Sequence, residues 1–283
     1  MTELSSKPFI DQIHARHRER AATLIDGGIE PHLAVVLVGE NPESVKYVAT
    51  KEKRAKEDGI IFSLYHLEES ATVEEIEQSI RFLAMDPEVH GIVLQLPLPP
   101  SISSVNAQRL IQLIPAEKDV DGLRGDWQSL TYTSARIADV QKLQSLPLPP
   151  MVLAVVSLLD HYHIDPMGKR VVMVGNGKLV GQPLTAFFQA LGIDAVAVDE
   201  HTEKILDITK SADILITGTG EPDLVTYLWV KEGATVIDCS GDVHTDSVSQ
   251  IAGALSPATG GIGPLTVAWL LHNVLNAAEV VNA

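Results

Sequence analysis

A tyrosine and a lysine four residues apart form the first pair whose types and spacing could do chemistry. Tyr47 and Lys51 lie in the segment SVKYVATK, and on a helix they share one face. A partly buried lysine can have a lowered pKa and relay protons, with a phenol beside it for orientation. Because the same predicted helix also carries Lys46 and Lys53, the pair alone is more typical of two surface residues.

A glycine-rich loop follows more than a hundred residues later. Gly175, Gly177 and Gly181 follow the apolar run 171–174 and stand at positions 0, 2 and 6, one residue longer than the GxGxxG dinucleotide fingerprint. Glycines allow a tight turn and a close approach of backbone to phosphate. The loop predicts a nucleotide site, with Asn176 and Val180 as further candidate contacts, and the alternative is a plain turn.

Two carboxylates stand where a dinucleotide fold places its ribose-binding acid. Asp199 and Glu200 follow the predicted strand 195–198, and a carboxylate there would bind the 2′-hydroxyl of NAD and repel a 2′-phosphate. The alternative is a solvated acidic loop. Short-chain dehydrogenases also combine a nucleotide loop with Tyr-x-x-x-Lys, but their pair follows the loop in the chain, whereas Tyr47 and Lys51 precede it.

Composition excludes several classes of protein. The chain has 283 residues and a net charge of −16, which argues against nucleic-acid or anionic-membrane partners. A single cysteine and the lack of a signal peptide favour the cytoplasm. We expect no metal site, because the 10 histidines form no HExxH-like cluster and the pair Asp119-x-Asp121 lacks a third ligand.

The elements that would position these residues alternate along the chain. Helical patterns separate apolar runs, which predicts βαβ units, a mostly parallel sheet and an α/β fold of two domains. The predicted strands cover residues 33–38, 60–67, 91–96, 170–174, 195–198, 213–217 and 234–238. We predict a catalytic domain over residues 1–143, a Rossmann-like domain over 144–263, and a last helix within 264–283 that returns to the first domain. Ligands are expected in the cleft between the two.

Five motifs in order resemble those of the bifunctional methylenetetrahydrofolate dehydrogenase/methenyltetrahydrofolate cyclohydrolase family. They are VGENPESVKYVATK (38–51), GIVLQLPLP (91–99), EKDVDG (117–122), VGNGKLVGQP (174–183) and GGIGPLT (260–266). The resemblance covers nearly the whole chain. It implies oxidation of 5,10-methylenetetrahydrofolate with NADP or NAD, then hydrolysis of the methenyl product to 10-formyltetrahydrofolate. It also implies a role in one-carbon metabolism and purine biosynthesis, and a homodimer.

The resemblance also implies roles for residues. Lys51 would activate water and move protons, Tyr47 would position the substrate, Gln95 would hold Lys51, and Asp121 would accept hydrogen bonds from the pterin ring. From the residues alone, Asp121 is equally a helix cap or turn residue. The resemblance further gives candidate substrate contacts at Ser44, Leu94, Leu96, Pro97, Gly260, Gly261 and Ile262.

Departures from the family pattern concentrate in the nucleotide half. In the glycine-rich loop, Asn176 and Gly177 stand where the family often has a polar pair. The family's PCTP segment is replaced by PLPP (147–150), and its Asn-containing stretch is replaced by LRGDW (123–127). The loop after Asp238 is short. Cyclohydrolase chemistry is therefore better supported than dehydrogenase chemistry, and charge favours NAD. The alternatives are a cyclohydrolase with a decayed nucleotide site, a nicotinamide dehydrogenase acting on another substrate, and a non-catalytic folate or nucleotide sensor.

Overall fold

The computed structural model of the chain describes residues 1–125 and 147–280. They form two compact units. The six-stranded unit contains Met1–Ile10 and Met151–Thr266, and the three-stranded unit contains residues 11–125, 147–150 and 267–280. The predicted boundary between residues 143 and 144 and the sequence departure at Asp126 and Trp127 lie outside the described residues, so the domain boundaries stay a prediction.

The three-stranded unit is built on a parallel sheet with strand order β3-β2-β4. Its strands are β2 (His32–Val38), β3 (Ile61–Leu67) and β4 (Gly91–Leu94). The last six residues of β2 are all buried, because a central strand covered on both faces needs a continuous apolar run. These strands confirm the predicted βαβ pattern.

Four helices accompany this sheet: α1 (Lys7–Asp26), α2 (Pro42–Glu57), α3 (Val73–Met85) and α4 (Ser104–Ile111). At the start of α2, the Asn41 side chain accepts hydrogen bonds from two backbone amides. At the start of α3, Thr72 and Glu75 form the capping box that the sequence predicts. Sequence-encoded caps therefore fix where the helix with Tyr47 and Lys51 and the helix after it begin.

The last helix spans Ile262–Val280, and its later part completes the core of the three-stranded unit. Leu271, Val274 and Leu275 are buried in one cluster with Leu33 and Val48. The prediction that the C-terminal helix returns to the first unit is confirmed.

The six-stranded unit is also a parallel sheet, with order β1-β9-β8-β7-β5-β6. Its strands are β1 (Thr2–Glu3), β5 (Arg170–Val174), β6 (Asp194–Val198), β7 (Ile214–Thr217), β8 (Thr235–Asp238) and β9 (Ala254–Leu255). Within the described residues, its helices are α5 (Pro150–His161), α6 (Gly181–Ala190), α7 (Ile205–Thr209) and α8 (Thr245–Val248), so the last helix is α9. The chain order reverses at β5, between β6 and β7, and such a switch point opens a crevice at the carboxyl ends of the strands.

Two short strands, β1 and β9, escape sequence prediction. They pair with each other over two residues each, from opposite ends of the chain. The first ten residues therefore lie in the six-stranded unit, where Ser6 N donates to Gly260 O at 2.8 Å. Within the described residues, no helix has the length and apolar character needed to cross a membrane.

Candidate active site

Lys51 is a buried cation on helix α2. The buried positions of this helix are Ser44, Val48, Lys51 and Ala55, which is one helical face. The lysine is only 2% exposed, although lysine is almost never fully buried without a partner. Its Nζ donates a hydrogen bond to Gln95 Oε1 at 3.0 Å. A buried amine of this kind is a candidate for proton transfer.

Tyr47 lies one turn before Lys51, as the spacing predicts. The Lys51 Nζ lies 4.7 Å from the centroid of the Tyr47 ring, within the range of a cation–π contact. Burial raises the pKa of the Tyr47 phenol well above its ordinary value, and the charge of Asp121 adds to this. The phenol therefore stays protonated, which is the form able to donate a hydrogen bond to a ligand.

The protonation of Lys51 is set by two opposing effects. Burial lowers the pKa of Lys51 below its ordinary value, and the negative charge of Asp121 partly opposes this. A lowered pKa increases the fraction of neutral amine, which is the form that accepts a proton from water. The site can therefore use Lys51 as a base and then as an acid.

Gln95 directly follows strand β4, and three hydrogen bonds hold it. Its backbone N donates to Val36 O at 2.9 Å, and its side-chain Nε2 donates to Leu96 O at 2.7 Å. With the amide nitrogen engaged in this way, the Oε1 atom faces Lys51. The parallel sheet thus brings together two residues that lie 44 positions apart in the sequence.

Asp121 is half-buried in a turn that Asp119 organises. Asp119 is 4% exposed, and its carboxylate accepts hydrogen bonds from Leu123 N at 3.2 Å and Arg124 N at 2.9 Å. Burial raises the pKa of Asp119 to about 6, and the neighbouring charge of Asp121 contributes. Asp119 therefore has the turn-capping role, which leaves the carboxylate of Asp121 available to a ligand.

The other predicted substrate contacts are divided between the two units. In the three-stranded unit, Ser44 and Leu94 are buried, Leu96 is half-buried and Pro97 is exposed. Leu94 is 1% exposed inside an apolar core cluster. Gly260, Gly261 and Ile262 belong to the six-stranded unit, at and just before the start of α9. The structure thus brings Tyr47, Lys51, Gln95 and Asp121 into one unit and places the glycine segment in the other.

The glycine-rich loop (175–181) joins β5 to α6, and its first and last glycines are required by packing. Gly175 has φ +98°, a left-handed conformation that favours glycine. A Cβ on Gly181 would lie 1.9 Å from Gly175 O, whereas a Cβ on Gly177 would meet open space. The loop closes tightly on itself, and the middle glycine leaves its backbone open to a ligand.

A cavity of about 680 Å³ lies beside this loop. It is lined by Val174, Gly175, Asn176, Gly177, Asp199, Glu200, Ile205, Gly218, Thr219, Glu221, Leu224 and Trp229. Five of the predicted contacts, Gly175, Asn176, Gly177, Asp199 and Glu200, therefore share one cavity, and Gly181 is not among its lining residues. Val180 instead packs on the neighbouring wall, since a Cβ on Gly218 would lie 2.4 Å from Val180 Cγ1.

Sequence reasoning missed the opposite wall of the cavity. Thr219 and Gly220 follow strand β7, and their backbone amides donate to the buried carboxylate of Asp242 at 2.7 and 2.9 Å. The sequence did offer a signal for this wall of the cavity. Gly218, Thr219 and Gly220 follow an apolar strand at the switch point, which is a typical ligand-binding position.

The two acids at the cavity differ in how far they are already engaged. Asp199 Oδ1 accepts hydrogen bonds from His201 N and Thr202 Oγ1, both at 3.1 Å. The Glu200 side chain is 82% exposed. Asp199 keeps its second oxygen for a ligand hydroxyl, and both carboxylates disfavour an additional phosphate at this end of the cavity.

Comparisons with known proteins agree with this geometry. Residues 4–121 match the catalytic-domain model of tetrahydrofolate dehydrogenase/cyclohydrolase, and residues 149–282 match its NAD(P)-binding-domain model. The bifunctional protein FolD of Nitrosospira multiformis is 35% identical over 99% of this chain and 96% of its own.

Solved structures agree as well. The bifunctional FolD enzyme of Campylobacter jejuni is 34% identical, with a TM-score of 0.87 over 99% of both chains. The FolD enzyme of Trypanosoma brucei, solved with NADP and an inhibitor, is 28% identical, with a TM-score of 0.88 over 100% of this chain and 99% of its own.

Proposed function

The chain belongs to the tetrahydrofolate dehydrogenase/cyclohydrolase family, and we propose that Lys51 is the acid–base residue of its cyclohydrolase reaction. The protein is an enzyme of one-carbon folate metabolism. It oxidises 5,10-methylenetetrahydrofolate with NADP or NAD and hydrolyses the methenyl product to 10-formyltetrahydrofolate. The observation that carries our proposal is the buried Lys51 amine, hydrogen-bonded to Gln95 at 3.0 Å.

In the hydrolytic step, Lys51 first acts as a base. A water oxygen forms a bond to the methenyl carbon, and the water proton passes to the neutral Nζ of Lys51. The bond between that carbon and N5 then breaks as N5 takes the proton back from Lys51. The hydroxyl proton on that carbon is released to solvent as the C=O bond forms, and the formyl group stays on N10. Gln95 holds the amine in place throughout, and the protonated phenol of Tyr47 orients the substrate.

In the oxidative step, the cavity beside the glycine-rich loop holds the cofactor. A nicotinamide ring held there would supply the acceptor for the hydride that leaves the methylene carbon. The tight turn at Gly175 and Gly181, with open space at Gly177, fits the close approach of a pyrophosphate. Asn176, Asp199 and Glu200 complete the set of proposed cofactor contacts. Because both acids oppose a 2′-phosphate, we propose a preference for NAD.

Asp121 is the proposed anchor for the pterin ring. A carboxylate accepts hydrogen bonds from the N–H donors of the ring, and such bonds are stronger than those between neutral groups. The proposed folate contacts also include Ser44, Leu94, Leu96, Pro97, Gly260, Gly261 and Ile262, by their match to the family motifs.

We also propose a homodimer, formed through strand β3 and acting in the cytoplasm. Strand β3 is at one edge of its sheet and pairs with β2 through all seven of its residues. Ile61 and Leu64 on this edge are 41% and 42% exposed, and Phe82 and Met85 on α3 are 62% and 84% exposed. An exposed apolar edge strand invites pairing with a second copy.

Sedimentation tests the dimer. Leu64→Lys introduces a charge on the proposed interface and should convert the dimer to a monomer. Leu206→Lys, at a position 39% exposed in the other unit, is the matched control and should leave the mass unchanged. A wild-type monomer would refute this part of the proposal.

The pH dependence of methenyltetrahydrofolate hydrolysis tests the role of Lys51. We expect the rate to rise with pH through an apparent pKa below the ordinary lysine value of 10.5, because the neutral amine is the base. Gln95→Leu removes an acceptor that favours the charged amine, so the profile should move to lower pH. Gln78→Leu, at an exposed position, should leave it in place. An unchanged profile in Gln95→Leu would refute the assignment.

A further inference from the structure

Three buried side chains that the folate chemistry does not use converge in the three-stranded unit. His14 Nδ1 lies 2.6 Å from Asp58 Oδ2, and His17 Nδ1 lies 3.0 Å from the same oxygen. The residues are 4%, 1% and 1% exposed. Their ligand atoms all lie within 4.8 Å of one another. The spacing of histidines along the sequence gave no sign of this cluster.

Two helices, α1 and α2, carry the three residues of the cluster. His14 and His17 are three residues apart on α1 and therefore share one helical face. Asp58 is the C-terminal cap residue of α2. Two imidazoles from one helix and a carboxylate from the end of another form a His₂Asp donor set.

The protein's own hydrogen bonds do not satisfy this cluster. Within the described part of the chain, the buried atoms His17 Nε2 and Asp58 Oδ1 have no hydrogen-bond partner. Arg18 Nη1 lies 3.6 Å from Asp58 Oδ1, and its side chain is 54% exposed. Buried polar atoms are normally paired, so the unpaired Asp58 Oδ1 calls for an explanation such as an ion. His17 Nε2 is on the far side of its ring from the Nδ1 atom that faces Asp58, so it is not one of the ligand atoms.

We propose that His14, His17 and Asp58 bind a divalent transition-metal ion of the Zn²⁺ class. Two imidazole nitrogens and one carboxylate oxygen suit Zn²⁺, Co²⁺ or Ni²⁺, whereas Mg²⁺ and Ca²⁺ prefer oxygen ligands alone. A water molecule as fourth ligand would complete a tetrahedral set.

The distances allow this with a small adjustment. Ligand atoms across a tetrahedral Zn²⁺ are separated by about 3.3 Å, given metal–ligand bonds of about 2.0 to 2.1 Å. Each imidazole nitrogen must therefore move away from Asp58 Oδ2 by roughly 0.3 to 0.7 Å. Both rings lie on one helix, so a small shift of α1 or a rotation of the Asp58 carboxylate provides the space.

The role of the ion is structural. Asp58 follows Lys51 by seven residues, about two turns along the same helical face. A metal that joins Asp58 to α1 fixes the end of the helix that carries the catalytic lysine. Because the ion binds the folded arrangement, it stabilises the native state.

Zinc titration of the untagged full-length protein, stripped with a chelator and dialysed, tests the site. In competition with a chromophoric chelator we expect one Zn²⁺ per chain. His17→Gln should weaken binding by at least about 100-fold, since even outer-shell partners of metal ligands contribute 10- to 100-fold. His201→Gln, whose side chain is 85% exposed, is the matched control and should bind as the wild type does.

A second readout separates lost ligation from lost folding. The melting temperature of the stripped variants is measured first, and then with Zn²⁺. Wild type and His201→Gln should gain stability with Zn²⁺, and folded His17→Gln should not. Co²⁺ should give the visible absorption of a tetrahedral nitrogen/oxygen site in the wild type. Equal zinc affinity in wild type and His17→Gln, or no Co²⁺ band, would show that the cluster is only a hydrogen-bonded triad.

Discussion

Replacing Lys51 by methionine removes the proposed acid–base group and keeps most of its volume. The side chain is 2% exposed, and its only polar atom donates to Gln95 Oε1 at 3.0 Å. Methionine is unbranched and adapts to irregular apolar spaces. The substitution therefore changes the chemistry of the site far more than its packing.

The two expected magnitudes differ clearly. Positioned proton transfer contributes about 10²- to 10⁴-fold to a rate, so hydrolysis should fall by that factor, roughly 3 to 5 kcal/mol in barrier height. The effect on folding stability is smaller. Gln95 loses its hydrogen-bond donor, which costs about 1–3 kcal/mol of stability, but the cost of burying the Lys51 amine disappears as well. We expect a folded protein with a near-normal melting temperature and little cyclohydrolase activity.

The assay follows the absorbance of methenyltetrahydrofolate during hydrolysis, alongside thermal unfolding. Lys53→Met is the matched control on the same helix, because the Lys53 side chain is 73% exposed. Its Nζ makes only a surface ion pair, 3.9 Å from Glu57 Oε1. It should retain full activity. A folded Lys51→Met variant with more than about a tenth of the wild-type rate would refute the reasoning.

Three further predictions concern the nucleotide loop, the cofactor and pH. In Gly181→Ala the new Cβ would lie 1.9 Å from Gly175 O, which should cost about 1–3 kcal/mol of stability. The variant should lose oxidation and keep hydrolysis. Gly177→Ala is the matched control, because its Cβ meets open space, and it should melt like the wild type. Asp199→Ser should raise the rate with NADP relative to NAD by about 10-fold, since one carboxylate no longer repels the 2′-phosphate; an unchanged ratio would contradict this. The folded-state pKa of Asp119 is raised to about 6 from 3.8, so its stabilising contribution is present at low pH and is lost as pH rises through about 6. The free energy of unfolding, measured in urea, should therefore fall between pH 4 and 7 by on the order of 3 kcal/mol more in the wild type than in Asp119→Asn. Equal pH dependence of this free energy in the two proteins would contradict the prediction.

The regular elements near the active site could be predicted because their signals are local. The buried strand β2, the capping box at Thr72 and the glycine-rich loop each depend on neighbouring residues, and the structure has each of them. The return of the last helix to the first domain was predicted as part of the two-domain organisation, and the core cluster with Val274 and Leu275 confirms it.

What sequence could not provide is contact between distant residues. The strands β1 and β9 are two residues long and pair across the whole chain, so they leave no periodic signal. Gln95 has little meaning until the sheet brings it to Lys51. His14, His17 and Asp58 meet only because α1 packs beside the end of α2. The roles of the active-site residues could be predicted from the family motifs, whereas the contacts between distant residues are known only from the folded structure.

Initial rates on 5,10-methylenetetrahydrofolate with NAD and with NADP, measured beside methenyltetrahydrofolate hydrolysis in the same preparation, test whether one polypeptide catalyses both reactions. We predict that both reactions proceed and that oxidation is faster with NAD. Hydrolysis without oxidation by either cofactor would mean that the departures in the nucleotide loop have removed the dehydrogenase half. Absence of both reactions in the folded protein would contradict the account as a whole.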